Sequence, residues 1–177
     1  MSGFTGLLDA IFNPPKNWEL NEPLIYNCDF LLKKEMSMLK DCNVDITPRA
    51  ILGGMIIVPK GYITDLASVP RSIWGFISPF DIARAAVVHD MLYEYINTRY
   101  KEVLESASAE DGPVSKRERE DYRNIADHVF KAAMFDSDPP VPQWKIHSAF
   151  WAVRMFGRWA INNSAPRKKI EREKNNE

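Results

Sequence analysis

The run from Pro79 to Thr98 constrains the fold of this chain most, because its apolar residues recur at helical spacing. On an α-helix that turns about 100° per residue, one stripe of roughly 100° contains Ile82, Ala85, Ala86, His89, Tyr93 and Ile96. We expect this stripe to be the packed face of the helix. Asp90 lies about 100° further round, at the edge of that face, where a carboxylate can meet solvent or a cation. The run therefore predicts a helix that carries the His89 imidazole and a carboxylate side by side.

Two more helices are predicted in the second half of the chain. The stretch from Lys101 to Val114 has no apolar period and is expected to be a surface loop. The capping-box signature Ser115-x-x-Glu118 opens a helix that extends to about Phe135. A third helix, expected from Pro142 to Asn162, is apolar on two sides, which is typical of a helix packed on both faces or against a partner. Because a loop of about 20 residues separates them, the first two helices can pack antiparallel.

Before the helices, short apolar runs bounded by turn residues predict a small antiparallel sheet. The segment from Trp18 to Asn27 reads as a strand interrupted at Pro23. The segment from Ala50 to Pro59 reads as a glycine turn that leads into a buried strand, with a further extended piece at Tyr62–Thr64. The segment from Asp29 to Asp41 has no clean period, so strand and helix both remain open. The fold class that follows is α+β, a small N-terminal antiparallel β-sheet followed by three main helices.

One domain is expected. The length of 177 residues and the hydrophobic content of 45% fit a single core. We expect a globular domain over residues 18–162, an N-terminal segment over residues 1–17 and a charged tail over residues 163–177. Within the N-terminal segment, Gly3 to Phe12 is expected to form one or two short amphipathic turns, ended by the prolines that follow.

Charge and cysteine content narrow the classes of protein to consider. With 23 Lys and Arg against 24 Asp and Glu, the net charge is -1, so no global field favours nucleic acid. Cys28 and Cys42 are too few for a disulfide-stapled scaffold and are expected to be buried free thiols. No run approaches the roughly 20 apolar residues of a transmembrane helix, and Met1 to Phe12 lacks the basic region of a signal peptide. We therefore expect synthesis in a reducing cytoplasm.

Antiparallel packing of the first two helices can bring together a set of side chains capable of catalysis. It can place His89 and Asp90 opposite Asp127, with Tyr93 alongside. A carboxylate that accepts the Nδ1 proton of His89 would fix the tautomer of the imidazole and make Nε2 a general base for water. Asp90, together with Asp65 from the connector before the helix, could hold a divalent cation. The sequence thus contains the groups needed for metal-assisted hydrolysis.

A structural interpretation of the same residues stands beside this one. A single histidine on an apolar face is more often a hydrogen-bonded core residue than a base, and aspartates on helices often pair with arginines. The arginines available for such pairs are Arg84, Arg123 and Arg154. His128 and His147 are expected to be structural. Ser68 lacks the flanking glycines of a nucleophile elbow, so serine chemistry is not expected.

Several motifs together resemble a phage and prophage family catalogued only as a domain of unknown function. They are Gly61-Tyr-Ile-Thr-Asp-Leu-Ala-Ser-Val-Pro-Arg71, Trp74, Ala85-Ala-Val-Val-His-Asp-Met-Leu-Tyr93, Arg123, Ala126-Asp127, Phe130, Ala152-Val-Arg154 and Gly157. Ser68, Arg71 and Arg123 belong to these motifs. The resemblance extends from about Trp18 to Trp159 and implies a viral or prophage origin, without an activity.

A second resemblance is to the secreted calcium-dependent phospholipases of the A-two class, in which a His-Asp-x-x-Tyr helix packs against a helix bearing an aspartate. It implies that His89 is the base, Asp90 a calcium ligand, Tyr93 a supporting hydroxyl and Asp127 the orienting carboxylate. The disulfide framework of that class is absent here. No glycine-rich calcium loop precedes the helix, so the connector from Asp65 to Arg71 would have to replace it.

Two functions are consistent with these observations. The first is a phage-encoded hydrolase of an envelope component, a lipid ester or cell wall, with calcium as the favoured cation. The second is a non-catalytic virion protein associated with tail, neck or baseplate, in which the polar cluster only holds the helices together. The partners expected are other virion proteins or the host envelope, and the helix over residues 142–162 is a candidate surface for oligomerisation. Synthesis in the host cytoplasm and incorporation into the virion go with the second function.

Overall fold

The computed structural model describes residues 2–14, 17–49, 52–65, 82–106 and 116–163. Its seven strands are β1 (Gly3–Thr5), β2 (Ala10–Asn13), β3 (Asn17–Leu20), β4 (Leu24–Cys28), β5 (Asp45–Pro48), β6 (Gly54–Val58) and β7 (Ile63–Thr64). Its four helices are α1 (Lys33–Asp41), α2 (Ala83–Ser106), α3 (Lys116–Phe135) and α4 (Gln143–Asn163). Antiparallel strands at the start are followed by long helices, so the α+β prediction is confirmed.

The larger sheet has four strands in the order β1-β4-β6-β5, and all its pairs are antiparallel. The two central strands pair from Leu24 opposite Val58 to Cys28 opposite Gly54. Both strands alternate buried and half-buried residues, because successive side chains of a strand point to opposite faces. One face of this sheet therefore forms a wall of the core. The break that Pro23 introduces between β3 and β4 agrees with the prediction.

The smaller sheet has three strands in the order β2-β3-β7, and the connector to the helices begins directly after β7. Its last pair joins Trp18 of β3 to Thr64 of β7. Strand β7 ends at this threonine, so Asp65 is the first residue after the sheet. The prediction of helical turns over Gly3–Phe12 is wrong, because this segment supplies β1 and β2, which pair with β4 and β3. Pairing with distant strands outweighs the local helical pattern of so short a segment.

The segment from Asp29 to Asp41, which the sequence leaves open, contains α1. The helix starts where the backbone N–H of Leu32 donates to the Glu35 carboxylate at 2.8 Å, as in a capping box. The sequence analysis does not predict β5, which is an edge strand of only four residues with one buried side chain, Ile46. With one buried residue in four, the strand lacks the alternation of apolar and polar residues by which a strand is recognised in a sequence.

Helix α2 occupies the centre of the domain. From Ile82 to Tyr93 every residue is buried except Arg84, so this part is covered on all sides and not only along the predicted stripe. The helix ends at Ser106, eight residues beyond the predicted end at Thr98, and the expected loop from Lys101 is wrong over those first residues. Buried Tyr100 explains the extension, since its ring packs beneath the Arg119 guanidinium at 5.0 Å. The predicted helix start at Pro79 lies outside the described residues.

Each of the three long helices packs antiparallel to the one before it in the chain. Along the α2–α3 contact, His89 meets Asp127 while Tyr100 meets Arg119, so the two chains run in opposite directions. Helix α4 covers the other side of α3, again reversed, with Phe135 beside His147. The predicted antiparallel pair is therefore present, and α4 follows close to its predicted bounds. Among the described residues, no helix combines the length and the apolarity needed to cross a bilayer.

Candidate functional site

The predicted pairing of His89 with Asp127 is present at the α2–α3 contact. Nε2 of His89 lies 3.1 Å from Oδ1 of Asp127, and the Tyr93 hydroxyl donates to the same oxygen at 2.6 Å. Tyr93 and His89 are four residues apart on α2, which places them one above the other on one helical face. The helix spacing read from the sequence thus brings these three side chains together.

The two nitrogens of His89 have the opposite roles to those expected. The sequence analysis assigns Nδ1 to the carboxylate, whereas Nε2 makes the contact. The reason is the distance between packed helices, about 8–10 Å, which the outer nitrogen of an imidazole spans more easily than the nitrogen nearer its own backbone. Nδ1 is buried and has no hydrogen-bond partner among the described residues.

Asp127 is held from a second side by α4. Its Oδ2 accepts a hydrogen bond from Nη1 of Arg154 at 3.0 Å. The same guanidinium contacts Oε1 of Glu120 at 3.1 Å through Nη2 and also donates to Asn124. A third helix is therefore tied to the His89–Asp127 pair. From the sequence, Arg154 is expected as an available partner for aspartates and as a motif residue, and Glu120 is not among the predicted residues.

Spacing along α3 could have indicated the acidic side of this network. Glu120, Asn124 and Asp127 follow one another at four and three residues, so they share one face of the helix. Arg123 lies on the adjoining part of that face and pairs with Glu120 through Nη1 at 2.9 Å. Which arginine of α4 completes the set depends on how α3 and α4 dock, which helical spacing does not contain.

The donors around Asp127 determine its ionisation. Burial acts to raise the pKa of this carboxyl group, but hydrogen bonds from His89, Tyr93 and Arg154 outweigh burial and hold the pKa below its usual value. Burial, reinforced by the charge of Asp127, raises the pKa of Tyr93 well above that of a free tyrosine. The carboxylate is thus an acceptor and the phenol a donor across the neutral pH range.

The site is enclosed. His89 is 2% exposed and Asp127 is fully buried. The imidazole ring lies between the rings of Tyr93, at 4.1 Å between centroids, and Phe130, at 4.8 Å. Enclosure strengthens the interactions among these polar groups because little water screens them. It also means that the described residues leave the imidazole almost no contact with solvent.

Two buried groups of the cluster have polar atoms without partners. They are Nδ1 of His89 and the Nε and Nη2 atoms of Arg123, for which no hydrogen bond exists within the part of the chain that the structure describes. A buried donor or acceptor without a partner costs about 1–3 kcal/mol, so native proteins rarely keep one without a reason. Arg123, expected from the sequence as a motif residue and as an available partner for aspartates, is therefore part of the site.

The predicted metal ligands are placed close to the sheet end. Oδ2 of Asp90 accepts a hydrogen bond from the Thr64 hydroxyl at 2.7 Å, and Asp65 follows that threonine directly. Calcium takes roughly six to eight oxygen ligands. Within the described ranges, no group of three or more His, Cys, Asp or Glu side chains is placed to hold a metal ion. The described residues alone therefore do not fit a calcium site.

Of the remaining residues considered from the sequence, His128 and His147 lie apart from the cluster. Ser68 and Arg71 fall outside the described residues. His128 and His147 are exposed, and the His128 ring stacks on Phe150 at 6.1 Å. A surface groove of about 450 Å³ opens on this other side of α3 and contains none of the predicted catalytic or metal-binding residues. Its walls are Phe30, Leu32, Glu35, Ile125, His128, Lys131, Ala132 and Phe135.

Comparison with known proteins assigns the chain to a family. Residues 38–153 match the model of a family described as "Protein of unknown function (DUF1353)". The match covers more than half of the 177 residues and includes His89, Tyr93 and Asp127, so the chain belongs to this family. No curated protein and no solved structure matches the chain. The expectation of an uncharacterised family is confirmed, and phage origin stays a prediction.

Proposed function

We propose that this member of the DUF1353 family is a phage-encoded hydrolase in which His89 is the general base and Asp127 orients it. Its substrate in this proposal is a component of the bacterial envelope, either a lipid ester or cell wall. The observation that supports it is that Nδ1 of His89 has no hydrogen-bond partner among the described residues, while Nε2 is bound to a buried carboxylate. A histidine with a purely structural role would normally have both nitrogens bonded.

The hydrogen bonds define the tautomer that such a base needs. Ionised Asp127 only accepts hydrogen bonds, so the proton of neutral His89 resides on Nε2 and the lone pair on Nδ1. In ester hydrolysis, the oxygen of a water molecule forms a bond to the carbonyl carbon while Nδ1 takes the proton of that water. The ester bond then breaks, and the proton passes from Nδ1 to the leaving alkoxide. Nδ1 is buried, so this step requires that its side of the cluster opens to water and substrate.

The other residues of the cluster act through Asp127. Tyr93 and Arg154 each donate to it, and they keep it ionised and in one orientation. The carboxylate then stabilises the imidazolium that forms during the reaction, as a buried acceptor of the Nε2 proton. Tyr93 and Arg154 are therefore positioning residues in this proposal.

No step of the proposal uses a metal ion, because the described residues do not supply enough ligands for one. A calcium ion at Asp90 and Asp65 would polarise the carbonyl group of an ester, and the assay below includes calcium as a variable. The Thr64–Asp90 hydrogen bond holds β7 against α2.

The test uses His89→Gln, which separates the base from the hydrogen bond. The amide nitrogen of glutamine can still donate to Asp127, but the side chain has no basic nitrogen in place of Nδ1. Purified full-length protein is incubated with phospholipid vesicles and with peptidoglycan, with and without calcium, and products are measured by mass spectrometry. We expect His89→Gln to lose about a hundredfold or more of the hydrolysis rate. The control is His128→Gln, which changes an exposed histidine of α3 and should keep full activity.

The proposal fails if wild-type protein and His89→Gln release the same amount of product, or if neither substrate is hydrolysed under either condition. In that case the second candidate is the better account, a non-catalytic virion protein associated with tail, neck or baseplate. Its supporting observation is the enclosure of a cluster in which Asp127 accepts three hydrogen bonds. It predicts that the protein copurifies with phage particles and that His89→Gln changes neither particle yield nor infectivity.

A further inference from the structure

The outer face of α4 is apolar although it faces away from the core. It is formed by Trp144, Trp151 and Met155, which are 55%, 62% and 71% exposed. Their spacing of seven and four residues places them within about 40° of one another on the helix. The opposite side of α4, with Ile146 and Val153, packs into the core. A surface helix normally carries polar residues opposite its buried face, so α4 has a second apolar face without a cover in the described structure.

The charges of this part of the chain point to an anionic partner. The 21 residues of α4 include three Lys or Arg and no Asp or Glu. Residues 143–177 contain eight Lys and Arg and three Asp and Glu, a net charge of +5. The chain as a whole carries -1, so residues 1–142 carry -6. Positive charge is thus concentrated in the part of the chain that carries the exposed tryptophans.

Neighbouring side chains add to the cationic and aromatic character of this region. The Lys145 ammonium group lies 5.9 Å from the centroid of the Trp144 ring. On the flank towards α3, Lys131 lies over the Phe150 ring at 5.0 Å. Arg154 does not contribute free charge to the face, because its guanidinium is bound to Asp127 and Glu120. Among the described side chains, Lys145 and Lys131 lie beside the outer face, and lysines can bind anionic groups at a surface without a fixed geometry.

We propose that the outer face of α4 binds the surface of an anionic lipid bilayer, with the helix lying in the plane of the interface. Tryptophan favours the level of the lipid headgroups, and lysines beside it are attracted to anionic lipids. Methionine adds flexible apolar surface that adapts to acyl chains. Binding in the interface also agrees with the lack of a membrane-crossing helix among the described residues. The proposal concerns binding alone and does not depend on whether His89 is catalytic.

The experiment is cosedimentation of the full chain with vesicles of phosphatidylcholine, with and without phosphatidylglycerol. We expect binding to the anionic vesicles, weak binding to phosphatidylcholine alone, and release when the salt rises from about 0.05 M to about 0.5 M. Trp144→Ser combined with Trp151→Ser should lower the partition coefficient by about tenfold or more. Replacement of both tryptophans by phenylalanine should restore part of it. The control Leu52→Ser changes an exposed apolar residue in the β5–β6 connection and should bind like wild type.

Three outcomes would overturn the proposal. The first is a lack of binding to anionic vesicles, and the second is binding that the Trp144→Ser/Trp151→Ser variant retains. The third is a dimer, detected by light scattering, that this variant dissociates while vesicles bind neither form, since the face would then join two copies of the chain. All binding measurements are repeated with His89→Gln, so lipid turnover cannot alter the vesicles. Hydrolysis without vesicle binding is then distinguished from vesicle binding without hydrolysis.

Discussion

Removing the Asp127 carboxylate should be among the most destabilising single changes in this protein. Asp127 is fully buried and accepts hydrogen bonds from His89, Tyr93 and Arg154. In Asp127→Ala, the His89 and Tyr93 donors stay buried without an acceptor, at a cost of about 1–3 kcal/mol each. Arg154 adds less than about 1 kcal/mol, because its side chain is 27% exposed and can turn to water. The expected loss is therefore about 2–7 kcal/mol in the free energy of unfolding.

Urea denaturation followed by far-ultraviolet circular dichroism measures this loss. The midpoint should fall while the slope of the transition stays that of wild type. Asp127→Asn keeps the shape and one acceptor oxygen, so we expect a smaller loss of about 1–3 kcal/mol. The matched control is Asp121→Ala, which removes an exposed aspartate from the same helix and should change stability by less than about 0.5 kcal/mol. If Asp127→Ala lies within about 1 kcal/mol of wild type, the cluster does not hold the three helices together as argued here.

Three further predictions concern the same cluster and the buried thiols. The three donors lower the pKa of Asp127, so the ionised carboxylate stabilises the fold fully above about pH 4. This contribution is lost as the pH falls towards the pKa of Asp127 in the folded protein. The difference in stability between wild type and Asp127→Asn should therefore shrink on acidification. Tyr93→Phe, which removes the donor at 2.6 Å from Asp127, should cost about 1–2 kcal/mol in urea denaturation, whereas Tyr95→Phe, half-buried on the same helix, should cost less than about 0.5 kcal/mol. Burial raises the pKa of Cys28 and of Cys42 to about 11, so mass spectrometry should find both unmodified by iodoacetamide in the folded protein and both alkylated in urea.

The cluster of His89, Tyr93 and Asp127 could be predicted as far as helical spacing determines it. His89 and Tyr93 share a face of α2 because they are four residues apart, and the α2–α3 connection is long enough for an antiparallel return. Together these two facts allow Asp127 to lie opposite them, as it does in the structure. The choice of Nε2 over Nδ1 was not predictable in the same way, because it depends on the distance between the helices and on the side-chain rotamer.

Features that depend on docking between distant elements were not predictable. Arg154 reaches Asp127 only because α4 packs reversed against α3, and nothing in the local sequence of α4 specifies that register. The extension of α2 to Ser106 depends on the burial of Tyr100 beneath a residue of α3. Likewise, β1 is held by its pairing with β4, about 20 residues later in the chain, which overrides a weak local helical pattern. Local spacing thus predicts the long elements, and long-range contacts determine where they end.

Arg123 and Asp127 belong to the same hydrogen-bond network, but we expect their replacement to change stability in opposite directions. Its side chain is buried, and among the described residues only Nη1 has a hydrogen-bond partner, Glu120, while Nε and Nη2 have none. Glu120 would not be stranded by the loss of Arg123, because it is partly exposed and also binds Arg154. Replacing a whole buried ion pair with apolar side chains often leaves stability equal or higher, whereas removing one partner is costly when the other is left buried and unpaired. Here Glu120 keeps Arg154 as its partner, so the cost of a stranded charge is avoided. We therefore expect Arg123→Met to be equal to wild type or up to about 1 kcal/mol more stable in urea denaturation, opposite in sign to Asp127→Ala.

That difference in sign tests whether Nε and Nη2 of Arg123, which have no partner among the described residues, destabilise the fold. A loss of more than about 2 kcal/mol in Arg123→Met would mean that the guanidinium has structural partners and that its free donors are not available for another role. A variant at least as stable as wild type would mean that folding alone does not explain why an arginine occupies this position. Nδ1 of His89 likewise has no partner within the described ranges, and the proposed general base rests on that observation. Stability and hydrolysis measured on the same two variants, Arg123→Met and His89→Gln, would then separate what the cluster does for the fold from what it does for chemistry.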